Sequence, residues 1–237
     1  MTNRTGRNLV LVLVIASVST AAVVRAEKPV DNSPAAPVAV SPSAKFEKEI
    51  AAYEAADKKS PPPRGAVLFI GDSGIKKWTT LAADFPDQQV INRGFGGSQM
   101  ADATYFADRI VIPYKPRLIV LREGGNDLTA GKTGEQLLAD LKAFIAKVHA
   151  ELPDTRIAIF SLNPNPARWS QAEKRKAMNV VLKAYIESEK GLEFIEVWDQ
   201  FLGPDGKPRE DLFQKDRLHN NAEGNKLYAA AVRPHMK

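Results

Sequence analysis

The stretch AVLFIGDSG, residues 66–74, runs apolar from Ala66 to Ile70 and then turns abruptly to Gly71, Asp72 and Ser73. An apolar run with no polar alternation, closed by a glycine, reads as a strand buried on both faces. Strands of that kind belong to parallel sheets covered by helices on each side. In such sheets ligands bind just beyond the carboxyl ends of the strands. The stretch therefore poses a question as well as a fold: whether Ser73 is a nucleophile at a strand end or a serine in a turn. The Gly-Asp-Ser tripeptide alone decides nothing.

Four further apolar runs follow, at 89–91, 117–121, 156–160 and 192–197, with amphipathic stretches between several of them. Phe46, Ile50 and Tyr53 recur at helical spacing before Pro61, Pro62 and Pro63. Thr133 with Gln136 forms a capping box ahead of Leu137, Leu138, Leu141, Phe144, Ile145 and Val148. Ser170 with Glu173 repeats the device ahead of Ala177, Val181, Ala184 and Tyr185. Strands alternating with helices predict an α/β protein with a parallel sheet.

The N-terminal segment reads as something to be removed. Arg4 and Arg7 precede an apolar run over 9–24, and Val24-Arg25-Ala26 supplies a small-residue cleavage site, so residues 1–26 are predicted to be a secretory signal. The rival reading, an uncleaved anchor, is weakened by Ser17, Ser19 and Thr20 and by a run short of the roughly 20 apolar residues that span a bilayer. No stable membrane span is expected, and the protein is expected in the periplasm or outside the cell. Residues 27–43, with Pro29, Pro34, Pro37 and Pro42, read as a linker, which leaves one domain over 44–237.

Removal of Arg4, Arg7 and Arg25 lowers the formal charge from +5 to +2, and no basic block with interleaved aromatics remains to suggest nucleic acid. The chain has no cysteine, so disulfides, cysteine nucleophiles and thiolate metal sites are excluded.

The polar residues fall where strands end. After the first strand come Gly71-Asp72-Ser73, after the second the segment 92–98, after the third Glu123-Gly124-Gly125-Asn126-Asp127, and beyond the fifth Asp216-Arg217-Leu218-His219. A serine hydroxyl needs a base, and an imidazole oriented by a carboxylate is the usual one. Acyl transfer also needs donors for a developing oxyanion, which a glycine N–H at position 97 and the amide of Asn126 can supply.

These four segments, in this order, resemble the SGNH hydrolases of the GDSL type. The strings FPDQQVINRGFGGSQM (85–100) and SLNPNPARW (161–169) are similar to the secreted bacterial branch called platelet-activating-factor-acetylhydrolase-like. The resemblance spans about residues 46 to 237. It implies a three-layer α/β/α sandwich with a five-stranded parallel sheet of flavodoxin-like order. It also implies Ser73 as nucleophile, His219 as base and Asp216 as its orienter, with the Ser73 N–H, the Gly97 N–H and the Asn126 amide as oxyanion donors. Neither metal nor cofactor is implied. The implied activity is hydrolysis of carboxylic esters, with short acyl groups on a carbohydrate or similar small ester as the expected substrate. A non-catalytic glycan-binding protein on the same fold stands as the alternative, as do a lysophospholipase, a thioesterase and an acyltransferase of the same family.

One departure concerns the opening stretch: the family usually has a branched aliphatic directly after the serine, whereas here Gly74 intervenes before Ile75. The other readings are structural. Asp72 is expected to cap a turn, Asp127 to hold its loop, and Arg122 to pair with Glu123, with recognition of an anion or sugar hydroxyl as the weaker role for Arg122. Arg168 and Trp169 suit either a stacking platform for a sugar or simple packing. Gly94, Gly96 and Gly97 lack the third glycine of a dinucleotide fingerprint, because position 99 is Gln99, so no nucleotide is expected. Of the histidines, His149 is expected to be partly buried and His235 solvated, and the three are too scattered for a metal cluster.

Overall fold

The computed structural model describes residues 1–2 and 41–237. All but the first two residues of the predicted signal and all but the last three of the predicted linker lie outside the described residues. Pro42 and Ser43, assigned to the linker, already belong to a 3-10 turn, Pro42–Phe46, in which Ser43 is buried and donates to Asp102 at 2.6 Å.

The elements follow in the order α1 (Glu47–Lys59), β1 (Val67–Gly71), α2 (Ser73–Lys76), α3 (Leu81–Asp84), β2 (Val90–Gly94), α4 (Met100–Ile110), β3 (Leu118–Arg122), α5 (Gly125–Thr129), α6 (Gly134–Glu151), β4 (Arg156–Phe160), α7 (Ala172–Ser188), β5 (Leu192–Ile195) and α8 (Ala222–Val232). The five strands form one sheet in the order β2-β1-β3-β4-β5, every neighbouring pair parallel. This is the flavodoxin-like order, and its switch point lies between β1 and β3.

The apolar runs are unbroken because alternate residues serve two different cores. Leu68 and Ile70 of β1 pack with α1, α4, α6 and α7 on one face, while Val67 and Phe69 pack with α2, α3 and α8 on the other. All five residues of β1 are buried.

The Thr133–Gln136 capping box forms as predicted, and Leu137, Leu141, Phe144, Ile145 and Val148 are buried behind it. The Ser170–Glu173 box does not form. Asn165 accepts from the Arg168 N–H at 2.9 Å and Pro166 follows, so the chain enters a 3-10 turn early and Ser170 lies inside it. The buried face of α7 is also rotated from the predicted stripe, consisting of Ala172, Arg175, Met178, Asn179, Leu182 and Ile186, with Ala177 and Ala184 exposed. Two polar residues on the inner face misled the reading by apolarity. Asn179 is satisfied by the N–H and carbonyl of Leu162. Among the described residues, no helix is long and apolar enough to cross a membrane.

Candidate active site

The site sits at the carboxyl ends of β1 and β3. Gly71 ends β1 at φ +156°, and a Cβ there would lie 2.1 Å from the Arg122 carbonyl oxygen, so only glycine lets the two strand ends close together. Asp72 then caps α2 by accepting from the Gly74 N–H at 2.8 Å, the role expected of it. Ser73 is thereby fixed as the first helical residue.

The Ser73 Oγ lies 2.8 Å from His219 Nε2, and His219 Nδ1 lies 2.6 Å from Asp216 Oδ2. The other Asp216 oxygen accepts the N–H groups of Leu218 and His219, both at 3.0 Å. Arg217, at φ +58°, makes the left-handed turn that folds these amides back onto the carboxylate. Against an upward push from partial burial, these hydrogen bonds and the imidazole hold Asp216 below the usual carboxylate range. It is an acceptor at neutral pH, so Nδ1 is assigned the proton and Nε2 is left free to accept from Ser73. Lys77, which sequence reasoning missed, lies one turn beyond Ser73 and places its ammonium 3.1 Å from His219 Nδ1 and 3.5 Å from the same carboxylate.

Asn126 is positioned by its neighbours. Its Nδ2 donates to the Ser98 carbonyl at 2.9 Å, and its Oδ1 faces both terminal nitrogens of Arg168 at 3.4 Å. Gly97, at φ +85°, immediately precedes Ser98, so the loops carrying the two expected donors touch. Asp127 is buried and holds its loop by accepting from the Met100 N–H and from Lys132.

Arg122 does not pair with Glu123. Its guanidinium bonds Asp72, Tyr228 Oη at 3.2 Å and Asn163 Oδ1 at 3.3 Å. Burial opposes the Arg122 charge, but Asp72 and Tyr228 more than offset it and raise its pKa. Gly74 explains the geometry: a Cβ there would lie 2.3 Å from Arg122 Nη1. The departure noted after Ser73 therefore makes room for this arginine. Glu123 instead accepts from Ser98, and burial together with the Asp72 charge pushes its carboxyl well above the usual range.

A narrow pocket beside Ser73 is lined by Asp72, Arg122, Asn126, Asn165, Arg168, Arg175, Leu218 and His219. Trp169 is not among the lining residues; its ring packs at 6.5 Å from that of Trp198. His235 is not solvated either, since it pairs with Glu193 at 2.5 Å. His149 is half-buried and contacts the Thr155 carbonyl at 3.0 Å. Arg175 had no part in the sequence reading, because it lies off the apolar stripe expected for α7 and its burial has no local signal.

The model of the GDSL-like Lipase/Acylhydrolase family matches residues 69–227. The chain is 27% identical over 177 residues to platelet-activating factor acetylhydrolase IB subunit alpha1 of Bos taurus, covering 69% of this chain and 71% of that one. A Streptococcus pneumonia structure described provisionally as a platelet activating factor superposes with a TM-score of 0.72 at 23% identity, over 81% of this chain and 92% of that one. A carbohydrate esterase family 3 structure from Talaromyces cellulolyticus superposes at 0.58 and 17% identity, over 72% and 95% of the two chains.

Proposed function

Because the chain belongs to the GDSL-like lipase/acylhydrolase family and is a carboxylic ester hydrolase, we propose that it removes short acyl groups, acetyl foremost, from a carbohydrate or similarly polar alcohol. The observation that carries the acyl and alcohol preference is the lining of the pocket beside Ser73. Among the described residues, Leu218 is the one aliphatic side chain in it, beside carboxylate, amide, guanidinium and imidazole groups. A long acyl chain would leave these groups desolvated against methylenes, at a cost of about 1–3 kcal/mol for each one left unpaired. An acetyl group avoids most of that cost. The carbohydrate esterase with the same fold is consistent with this choice.

His219 Nε2 takes the Ser73 proton as Oγ attacks the acyl carbonyl. The Ser73 N–H, the Gly97 N–H and the second Nδ2 hydrogen of Asn126 receive the oxyanion. Asp216 stabilises the imidazolium that forms, and the Lys77 ammonium offsets part of the Asp216 charge. His219 returns the proton to the departing alcohol, then activates a water that releases the acid and frees Ser73. The 2.8 Å and 2.6 Å links from Ser73 to His219 and from His219 to Asp216 support these roles. Export fits the N-terminal pattern of residues 1–26 and would bring the enzyme to polymeric substrates.

The test is release of 4-nitrophenol from its acetate and octanoate esters by the chain and by Ser73→Ala. Acetate should be the better substrate, and turnover should fall by at least about 10⁴-fold in the variant. Undiminished turnover in Ser73→Ala would remove the serine mechanism. Preference for octanoate would remove the short-acyl reading.

A further inference from the structure

Among the described residues, Arg175 is a cation without a salt-bridge partner. Its side chain is buried, with the residue 3% exposed, and Nη1 donates to the Asn163 carbonyl at 3.2 Å. Its Nε and Nη2 are buried and have no hydrogen-bond partner among the described residues. Those two nitrogens form one edge of the guanidinium, the edge that meets a carboxylate through two parallel hydrogen bonds. An unused pair of charged donors in the interior is costly, and native proteins rarely leave one without purpose.

The surroundings do not neutralise it. Arg122, Arg168 and Arg175 line the pocket beside Ser73 with Asp72 as their acid, and Asp72 is already taken by Arg122. Arg168 donates to the Gly125 carbonyl and the Asn126 oxygen, both uncharged. Glu123 lines the adjoining pocket with Arg175 but is held toward its neutral acid form by burial and by Asp72. Burial, reinforced by the Arg168 and Arg122 charges, brings Arg175 down to about 10. The groups converge: a Cβ placed on Gly125 would stand 3.8 Å from Asp72 Oδ2 and 3.9 Å from Nη1 of both Arg168 and Arg175.

We propose that the vacant Nε–Nη2 edge of Arg175, with Arg168 beside it, binds a carboxylate carried by the substrate, so that the preferred ester is an acylated acidic sugar. This rests on the esterase reading for its place beside Ser73 and deepens it by naming the class of alcohol. A planar carboxylate fits a single guanidinium edge with both oxygens. A tetrahedral phosphate would leave at least one charged oxygen off that two-donor edge. The carboxylate also supplies the anion that the arginines lack.

The experiment measures binding calorimetrically on the Ser73→Ala protein at fixed ionic strength, with glucuronate, glucose and glucose 6-phosphate as probes. Glucuronate should bind at least about tenfold more tightly than glucose, as a bidentate charged pair requires. The difference should shrink to within about twofold in Ser73→Ala carrying Arg175→Gln. It should shrink similarly with Arg175→Lys, which keeps the charge but loses the two-donor edge. The lysine variant also serves should the glutamine variant fail to fold. Equal binding of glucuronate and glucose, a preference that survives both substitutions, or tighter binding of glucose 6-phosphate would each overturn the proposal. Turnover of 4-nitrophenyl acetate by the unaltered chain is read separately. Activity without a glucuronate preference sinks this inference alone, and a glucuronate preference without activity sinks the esterase reading alone.

Discussion

Replacing Gly74 by alanine inserts one methyl group where Arg122 lies, and its consequence can be worked through. The new Cβ would stand 2.3 Å from Nη1, 2.5 Å from Cζ and 3.1 Å from Nε of Arg122, so the guanidinium must leave. It is tied to Asp72, with the two side chains 17% and 9% exposed, and to Tyr228 and Asn163. Losing a charge-assisted bond in that setting costs about 1.5–3 kcal/mol, against about 0.5–1 kcal/mol regained from alanine over glycine in a helix. The net expectation is destabilisation by about 1–2 kcal/mol. In an Arg122→Met background no guanidinium is displaced, and the same alanine should be neutral or stabilising by about 0.5 kcal/mol. Arg122→Met alone should cost about 3 kcal/mol, because it leaves Asp72 buried and unpaired. Urea unfolding of the four proteins in the cycle measures the coupling. An equal cost of Gly74→Ala in both backgrounds would refute the link between the residue after the serine and the Arg122–Asp72 pair.

Two further outcomes follow from the site. Asn126→Ala should lower kcat on 4-nitrophenyl acetate by about 10²–10³-fold with KM little changed, while an unchanged kcat would confine Asn126 to holding its loop. Glu123→Gln should grow more stable relative to the parent as pH rises. The Glu123 carboxyl is raised in the folded state above its ordinary value of 4.5, so its proton is kept on folding but lost from the unfolded chain. The parent is therefore at full advantage below pH 4.5 and loses about 1.4 kcal/mol per pH unit above it, until the folded state also ionises. Glutamine keeps the acceptor for Ser98 and removes that loss. A difference in urea midpoint that stays constant between pH 5 and pH 7 would contradict it.

Residues whose environment is local were the legible ones. The apolar runs located the three central strands because burial on both faces writes itself into nearly every position, and β2 and β5 kept enough apolar residues to show although each has half-buried positions. Thr133 and Gln136 announced α6 because a capping box is complete within four residues. The second strand was read too short, at 89–91, because Asn92 and Arg93 continue it as polar residues. Arg93 is buried between the rings of Tyr53 and Tyr114, at 4.9 and 4.7 Å, and bonds Asp57 at 2.6 Å. Its partners lie far away in sequence, so nothing nearby signals its burial. Arg175 escaped for the same reason, and Arg122, though singled out, was paired with its neighbour Glu123 because its partners Asp72, Tyr228 and Asn163 are distant in sequence. The strand order came from family likeness, since apolar runs do not say which neighbours pair. The segments around Ser73, Asn126 and His219 were legible as a set, yet their meeting depends on the sheet that spaces them.

The helix ahead of the sheet changes what counts as the domain. The shared family segment begins at residue 69, but Phe46 and Ile50 are set into the core of one face, and Tyr53 donates to the carbonyl of Gly94 at the end of β2. Arg109 on α4 binds Glu47 and Glu54 of the same helix. At the other end, Val232 and Met236 complete the opposite core beyond residue 227. The homologous segment and the cooperative folding unit are thus different lengths of chain. Evolutionary kinship marks out the chemistry, while the boundary that matters for expression and for limited proteolysis is the longer one drawn by burial.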